Sequence, residues 1–311
     1  MMGPRVVNSY DAIPIVRGVR RVKLNSWREF YSLIEQPHPL HNDTFIYRGQ
    51  GDADWLIQST IDRLEDRFPT KRNRSASSPT NFGCPPVNRH AHLRAFKIAT
   101  RGVGTAFERF TEREWWTMAQ HHGLATPIVD WTVSPFVALF FAFEHPTLAT
   151  GKRLGPPATR AVYCALAHLV GANATKSCPA PIVFQPLRAL TVRLNTQGSV
   201  LMEMPPHWDL ESSVRKRFRK EESSKNAHAN AILTKFVIPN EGREDCLKML
   251  NRMNINRMSL FGDVDGAAAY INSLWEQDFD TPIGWLPDAA DVGSVVQQPR
   301  KRRVARRKRG D

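Results

Sequence analysis

Residues 120–143 read QHHGLATPIVDWTVSPFVALFFAF, and this stretch decides how the middle of the chain folds. Its second half is apolar almost without interruption. Ser134 and Pro135 stand before that apolar run, and serine at an N-cap followed by proline favours the start of a helix. A helix that is apolar on nearly every side must be buried on most of its faces. The sequence therefore predicts a buried helix over 135–144, entered from an extended segment over 127–131.

The residues from the end of the helix predicted over 112–122 to the start of the next helix carry a dense group of polar side chains. They are His121, His122, Asp130, Trp131, Thr132 and Ser134. The N-terminus of the following helix adds backbone N–H groups that can hold an anion. Such a group fits a binding or catalytic site. Each residue also has a structural interpretation, with the histidines as caps of helix carbonyls, Asp130 as a turn acceptor and Ser134 as an N-cap.

Tyr47-Arg48-Gly49-Gln50 forms a second candidate site at the end of a predicted strand over 44–49. An arginine followed by glycine presents a planar guanidinium where the backbone permits close approach of a ligand. This arrangement suits bidentate recognition of phosphate or carboxylate. The alternative is a structural salt bridge from Arg48 to Asp130 or Asp52.

The rest of the chain contains further predicted helices and strands on both sides of these two segments. Helical spacing predicts helices over 27–33, 59–68, 92–110, 112–122, 243–253 and 264–275. Alternating or apolar runs predict strands over 161–167, 181–184, 188–194, 199–204 and 232–238. Helices before strands favour an α+β fold, with a helical first half packed on a mixed or antiparallel sheet.

Composition favours a single main domain in a soluble, cytoplasmic protein. No apolar run reaches the ~18 residues of a membrane span. The four cysteines lack a C-x-x-C pair and are interpreted as reduced thiols. We expect an N-terminal extension over 1–24, a domain over 25–280 with a mobile insertion at 69–89, and a disordered tail over 281–311. No metal site is predicted, because the histidines lack ligand spacing and no H-E-x-x-H occurs.

Basic charge is concentrated at the C-terminus. Residues 300–311 hold eight basic residues and one acidic residue, so they carry +7 of the net charge of +13. Such a run is usually a solvated, unstructured segment. It can also neutralise nucleic-acid phosphates without reading sequence, and it holds no aromatic residue to stack on bases. We expect non-specific nucleic-acid contact through 300–309.

Four separated blocks resemble the FRG domain, a family named for its (F/Y)-R-G motif. They are YRGQ (47–50), the 120–143 stretch quoted above, RLNTQG (193–198) and SLFGDVDG (259–266). The resemblance runs from about Trp27 to about Leu274, with departures at Pro127, Val200 and Gly262. It implies a prokaryotic, cytoplasmic protein.

A weaker resemblance is to the NAD-binding core of Arg-Ser-Glu-type ADP-ribosyltransferases, through the aromatic-Arg-Gly strand and the Thr132-x-Ser134 element. It implies an ADP-ribosyltransferase-like sheet and NAD as the cofactor, with Arg48 on the NAD phosphates and Trp131 or Tyr47 stacked on the ring. The cofactor-binding residues implied are Tyr47, Arg48, Gly49, His121, Asp130, Trp131, Thr132 and Ser134. The family's catalytic glutamate lies on a later strand, for which Glu203 and Gln197 are the candidates.

Three functional hypotheses follow. The first is an FRG-domain protein with a nucleotide-type pocket and NAD-dependent, ADP-ribosyltransferase-like activity. The alternative is a non-enzymatic, nucleic-acid-associated or nucleotide-sensing module, with a role in prokaryotic defence. The third is a hydrolase or nuclease that uses His121 or His122 as general base, with Asp130 as its orienter. Convergence of Arg48, His122, Asp130, Gln197 and Glu203 on one cleft would favour the first.

Overall fold

A computed structural model describes residues 13–34, 45–67, 88–103, 109–144, 158–186, 192–219 and 231–276. Its strands are β1 (Val19–Lys23), β2 (Phe45–Gln50), β3 (Ile128–Thr132), β4 (Thr159–Leu166), β5 (Ile182–Phe184), β6 (Ser199–Glu203) and β7 (Leu233–Pro239). Its helices are α1 (Trp27–Ile34), α2 (Thr60–Asp66), α3 (Arg89–Ala99), α4 (Glu112–His121), α5 (Pro135–Glu144), α6 (Val192–Thr196), α7 (Leu210–Arg217), α8 (Arg243–Arg252), α9 (Arg257–Phe261) and α10 (Val264–Glu276).

The seven strands of the described residues form one sheet in the order β1-β7-β4-β2-β3-β6-β5. β1 runs parallel to β7, and every other pairing is antiparallel. The sheet is therefore mixed, and the α+β class is confirmed. The predicted division into a helical first half and a strand-rich second half is wrong, because three strands precede residue 133 and helices continue to the end of the described chain.

Apolar clusters cover both faces of the sheet. On one face α1, α5 and α8 pack against β4 and β7, through residues such as Phe30, Leu139 and Phe236. The other face carries a cluster around Tyr163 and Met202 that includes residues of α7. A smaller cluster joins α2, α3 and α4 to β3 and β6. The sheet is thus held between helices, as the burial of its central strands requires.

Local helix signals account well for the elements around the candidate site. Six of the ten residues of α5 are buried, which confirms the helix predicted from its apolar composition. Thr111 and Glu114 form a capping box at the start of α4. Gly123 follows that helix with a φ of 85°, a left-handed conformation that glycine adopts readily. Short-range chemistry therefore decides where α4 and α5 begin and end.

Several other predicted elements differ from the structure. The strand predicted over 188–194 is wrong at residues 192–194, where α6 begins, and residues 188–191 lie outside the described residues. The helix predicted over 92–110 ends at Ala99, where the Thr100 hydroxyl bonds back to the carbonyl of Phe96 and Gly102 adopts a φ of 81°. Neither α7 nor α9 was predicted. β1 lies within the segment assigned to an N-terminal extension, so part of that segment belongs to the sheet.

Two compact units divide the chain, Met1–Tyr270 and Ile271–Asp311. The sheet belongs to the first unit, and the structure describes only the end of α10 from the second. The predicted tail over 281–311 and residues 69–87 of the predicted insertion lie outside the described residues. In the described part of the chain, no helix is both long and apolar enough to cross a membrane.

Candidate functional site

The candidate site lies where two neighbouring strands separate. β2 pairs with β4 at all six of its positions but with β3 at only one, where Tyr47 stands opposite Thr132. β3 meanwhile pairs with β6 along its whole length. A cavity of about 400 Å³ is lined by residues of both β2 and β3 next to this single pair. Pockets for small organic ligands have volumes of about 300–1,000 Å³, so the cavity is large enough for one.

Arg48 spans the gap between the two strands. Pro127 and Val133, which flank β3, both make their backbone hydrogen bonds on the side of β6. Successive residues of an antiparallel strand direct their backbone groups to opposite neighbours, so the carbonyl of Asp130 faces β2. It accepts a hydrogen bond of 2.6 Å from Arg48 Nη1. A side chain thus replaces the ladder partner that β2 does not supply.

Arg48 and Asp130 both line the cavity, and their charges interact. Burial raises the pKa of the Asp130 carboxyl, and Arg48 and a hydrogen bond from Gln120 oppose this effect. Burial also lowers the pKa of the Arg48 guanidinium, which nevertheless stays charged at neutral pH. Arg48 Nε is buried and has no hydrogen-bond partner. Arg48 also lines the cavity, where the planar fork of a guanidinium can bind an anion.

A chain of three polar side chains fixes Asp130, and two of its members were not among the predicted site residues. Gln120 Nε2 donates to Asp130 Oδ1 over 2.7 Å, and the Thr126 hydroxyl donates to Gln120 Oε1 over 2.6 Å. Thr126 is fully buried. The spacing of glutamine, threonine and aspartate in the 120–143 stretch was the available signal. These residues act together because α4 and β3 bring them into contact.

Thr132 and Ser134 have different roles at the start of α5. The Thr132 hydroxyl donates to the carbonyl of Gln197 over 2.6 Å and accepts from the backbone N–H of Ser134 over 3.0 Å. Thr132 and Gln197 both line the cavity. Ser134 Oγ accepts from the N–H of Val137, which supports its interpretation as an N-cap, and Ser134 does not line the cavity.

Gly49 is required by packing. A Cβ at this position would overlap the carbonyl oxygen of Ala138 and lie 2.5 Å from the backbone nitrogen of Ala142. α5 therefore lies directly on the backbone of β2 at Gly49. From the sequence, Gly49 was expected to permit close approach of a ligand. The structure adds that only glycine leaves room for the backbone of α5.

Two late segments of the chain meet at the rim of the cavity. Arg193 Nη2 lies 2.5 Å from Asp263 Oδ2, and its guanidinium stacks over the ring of Phe261 at 4.7 Å. Thr196 Oγ1 also donates to the carbonyl of Leu260 over 2.7 Å. Arg193 and Phe261 line the cavity, as does Arg63 of α2. Sequence reasoning named none of these three as site residues, because they come from segments far apart in the chain.

Aromatic side chains form much of the remaining wall. The aromatic lining residues are Tyr47, Trp55, Trp131, Phe141 and Phe261. Trp131 is only 2% exposed and belongs to the core cluster on one face of the sheet, so little of its ring is available to a ligand. Tyr47 and Trp55 are half-buried and present more surface to the cavity. Of the two predicted stacking residues, Tyr47 is the better placed.

Of His121, His122 and Glu203, only His121 lines the cavity. His121 lines the cavity, and burial, Arg193 and His122 together lower its pKa, so the imidazole is neutral at pH 7. His122 is the exposed C-cap of α4 and is not among the lining residues. Glu203 also lies outside the lining, where it accepts a hydrogen bond of 2.9 Å from Arg113 Nε. Of the five residues whose convergence was in question, Arg48, Asp130 and Gln197 meet.

Comparison with known families agrees with the motifs that build this cavity. Residues 43–150 match the family model of the FRG domain. The chain contains an FRG domain. The match spans β2 to α5, so it includes Arg48, Gln120 and Asp130, whereas Arg193 and Phe261 come from beyond it. A search of curated proteins and a search of solved structures each gave no match.

Proposed function

We propose that the FRG-domain cavity binds a nucleotide-type ligand through its phosphate groups, with NAD as the candidate cofactor. The observation that carries the proposal is the convergence of three arginines, Arg48, Arg63 and Arg193, on one aromatic-lined cavity. Arginine presents a planar fork of donors that matches phosphate oxygens, and aromatic rings accept the flat face of a base or a nicotinamide.

The charge around the cavity favours a polyanion. Among the described lining residues Asp130 is the only carboxylate, and Gln120 already donates to it. Asp263, outside the lining, pairs with Arg193. Burial and the neighbouring Arg67 both lower the pKa of Arg63, so an anion beside Arg63 would relieve repulsion. Phosphate groups between the arginines offset their charges, whereas a cationic ligand adds to them.

The aromatic wall supports a ligand with a planar ring. Tyr47 stands at the single pair that joins β2 to β3, and Trp55 lies beyond the end of β2. Arg48 lies between these two rings in the sequence, so phosphate contacts and ring contacts come from one short segment. This arrangement suits a nucleotide better than inorganic phosphate, which has no ring to stack.

ADP-ribosyl transfer is a separable second part of the proposal. Such a reaction needs a carboxylate or a comparable group to stabilise the positive charge that develops on the ribose as nicotinamide leaves. Glu203 is paired with Arg113 outside the cavity lining, so Asp130 becomes the carboxylate that we propose for this task, with Gln197 beside it. Nucleotide binding does not depend on this assignment.

Calorimetric titration of the full chain with NAD, with ADP and with inorganic phosphate tests the binding. We expect NAD and ADP to bind and Arg48→Met to weaken both by at least about tenfold, because a charge-assisted hydrogen bond contributes about 1.5–3 kcal/mol. Arg94→Met is the matched control, since Arg94 is exposed on α3 and does not line the cavity. Failure of the folded wild-type protein to bind either nucleotide would overturn the proposal.

Turnover has its own readout. Incubation with NAD labelled in the nicotinamide ring should release labelled nicotinamide with the wild-type protein and not with Asp130→Asn. Nucleotide binding without nicotinamide release, in the presence of candidate acceptors, would leave a nucleotide-sensing module as the function. Equal release from both proteins would show that Asp130 is not the carboxylate involved.

Nucleic-acid contact is a second proposal, and it rests on the charge of residues 300–309 alone. Neutralisation of phosphates releases counterions, so affinity for DNA or RNA should fall steeply as salt rises. Deletion of residues 300–311 should remove most of that affinity and leave NAD binding unchanged. If the truncated chain binds nucleic acid as tightly as the full chain, this proposal fails.

A further inference from the structure

A cluster of metal-ligating side chains lies outside the cavity, where α2 meets the turn between β6 and α7. Asp62 and Glu65 stand three residues apart on α2, so their side chains share one face of the helix. His207 comes from that turn. One ligand atom from each of the three residues lies within 4.8 Å of the other two.

Two carboxylate oxygens of this cluster are buried and have no hydrogen-bond partner. Asp62 is 3% exposed, and its Oδ1 accepts a hydrogen bond of 2.8 Å from Arg89, whereas its Oδ2 has no partner. Glu65 Oε2 has no hydrogen-bond partner either, although His207 Nδ1 is only 3.3 Å from it. A buried acceptor left unpaired costs about 1–3 kcal/mol, and more when it is charged. These oxygens are therefore available to a ligand that they share.

We propose that Asp62, Glu65 and His207 bind a divalent transition-metal ion, with Zn²⁺ as the ion of choice. Two carboxylates and one imidazole form a mixed oxygen and nitrogen set, which suits Zn²⁺, whereas Mg²⁺ and Ca²⁺ are bound mainly by oxygen. Three protein ligands leave the fourth position of a tetrahedral site for water.

The distances fit a site that closes on its ion. Zn²⁺ holds oxygen and nitrogen ligands at about 2.0–2.2 Å, which places tetrahedral ligands roughly 3.4 Å apart. Side-chain exposure rises from 3% at Asp62 through 11% at Glu65 to 46% at His207. The exposed imidazole is therefore the ligand free to move, and the ion enters past it to reach two fixed carboxylates.

Arg89 hydrogen-bonds the proposed metal ligand Asp62 and fixes its orientation. It holds Asp62 Oδ1 through Nη2, and its Nη1 donates to the carbonyl of Met204 over 2.7 Å. Hydrogen-bonded carboxylates of this kind are usual around metal ligands, because the outer partner fixes the ligand's orientation. Asp62, Glu65 and Arg89 together carry a net charge of −1, so a divalent cation is attracted to the cluster.

Titration of the metal-stripped, tag-free full chain with Zn²⁺ tests this site. We expect one ion per chain and a higher melting temperature, because an ion that binds the folded state stabilises it. Glu65→Gln and His207→Gln should each weaken binding by more than about tenfold, since even the loss of an outer-shell partner costs that much. His207 is exposed whereas Glu65 is largely buried, so circular dichroism without metal checks that each variant folds.

Two controls separate this site from other histidines. His90 and Glu112 form a pair at 3.6 Å that is exposed, so His90→Gln should leave Zn²⁺ affinity unchanged. The double variant His121→Gln/His122→Gln tests the neighbouring imidazoles at the end of α4. Zn²⁺ binding that survives Glu65→Gln and His207→Gln, or that disappears only in the double variant, would overturn the proposal, as would no binding by the folded wild-type protein.

Discussion

The two edges of β2 differ in how their backbone groups are satisfied. Toward β4, all six residues of β2 pair in a regular antiparallel ladder. Toward β3, a single pair is formed, and a guanidinium bonds the carbonyl that the ladder leaves over. Buried backbone groups must find partners, so the interrupted edge recruits polar side chains while the continuous edge needs none. The candidate site therefore exists because the sheet is incomplete there.

The largest effect is expected where α5 covers β2 at this junction. Gly49→Ala should lower the free energy of unfolding by about 3 kcal/mol or more, because the new methyl group overlaps the backbone of α5. Urea denaturation measures the change. Gly171→Ala is the control, since its Cβ would lie 3.3 Å from the carbonyl of Pro181. Equal losses in the two variants would mean that α5 does not press on β2.

The second-largest loss of stability is expected at the side chains that hold Asp130 at the edge of β3. Gln120→Leu should lower the free energy of unfolding by about 1–3 kcal/mol, because it leaves the buried Thr126 hydroxyl without its acceptor. A double-mutant cycle with Thr126→Val isolates the pair, and the double variant should lose less than the sum of the two single losses. Additive losses would show that the two side chains act independently.

A smaller, pH-dependent effect is expected at Asp130. Its pKa is raised in the folded protein, so the wild type loses stability as pH rises through the range between the unfolded and the folded pKa. Asp130→Asn lacks this loss and should be relatively more stable at pH 7 than at pH 3. Thermal denaturation across that range measures the difference between the two proteins. If the difference in melting temperature between wild type and Asp130→Asn stays constant with pH, the pKa of Asp130 is not raised in the folded protein.

The smallest effect is expected at the exposed rim. Hydrogen bonds from Arg193 and from the backbone of Gly266 lower the pKa of Asp263. The stabilisation is therefore present above the unfolded pKa and is lost as pH falls through the folded one. Asp263→Asn should reduce stability slightly at neutral pH and not at all in strong acid, as thermal denaturation at both pH values would record. A larger loss than Gln120→Leu causes would place the main support of the site at its rim.

Much of the fold follows from local chemistry. Ser134 and Pro135 start α5, and Thr111 with Glu114 starts α4, because caps depend on neighbours a few residues away. The region of α6 was mistaken for a strand because Arg193 and Leu194 alternate in polarity. A five-residue helix forms there, with Thr196 bonded to Leu260 some sixty residues later, and no local pattern reveals such a contact.

The candidate site was predicted only in part, because some of its residues lie in recognisable motifs and others are placed by the packing of helices. Arg48, Asp130 and Gln197 were named because motifs mark them, and the structure brings them together. Arg63 and Phe261 were missed because their place depends on how α2 and α9 pack. Glu203 was a candidate for the catalytic glutamate because it lies on a later strand, but it pairs with Arg113, on a helix whose packing the sequence did not specify.

The single pair between Tyr47 and Thr132 has a mechanical consequence. The sheet consists of two panels, β1-β7-β4-β2 and β3-β6-β5, joined by one pair of residues. Backbone hydrogen bonds therefore offer little resistance to twisting between the panels. α5 contacts both β2 and β3, and it becomes the brace that sets their relative angle. A molecule held in the cavity would act as a second brace, so its arrival would stiffen the whole sheet.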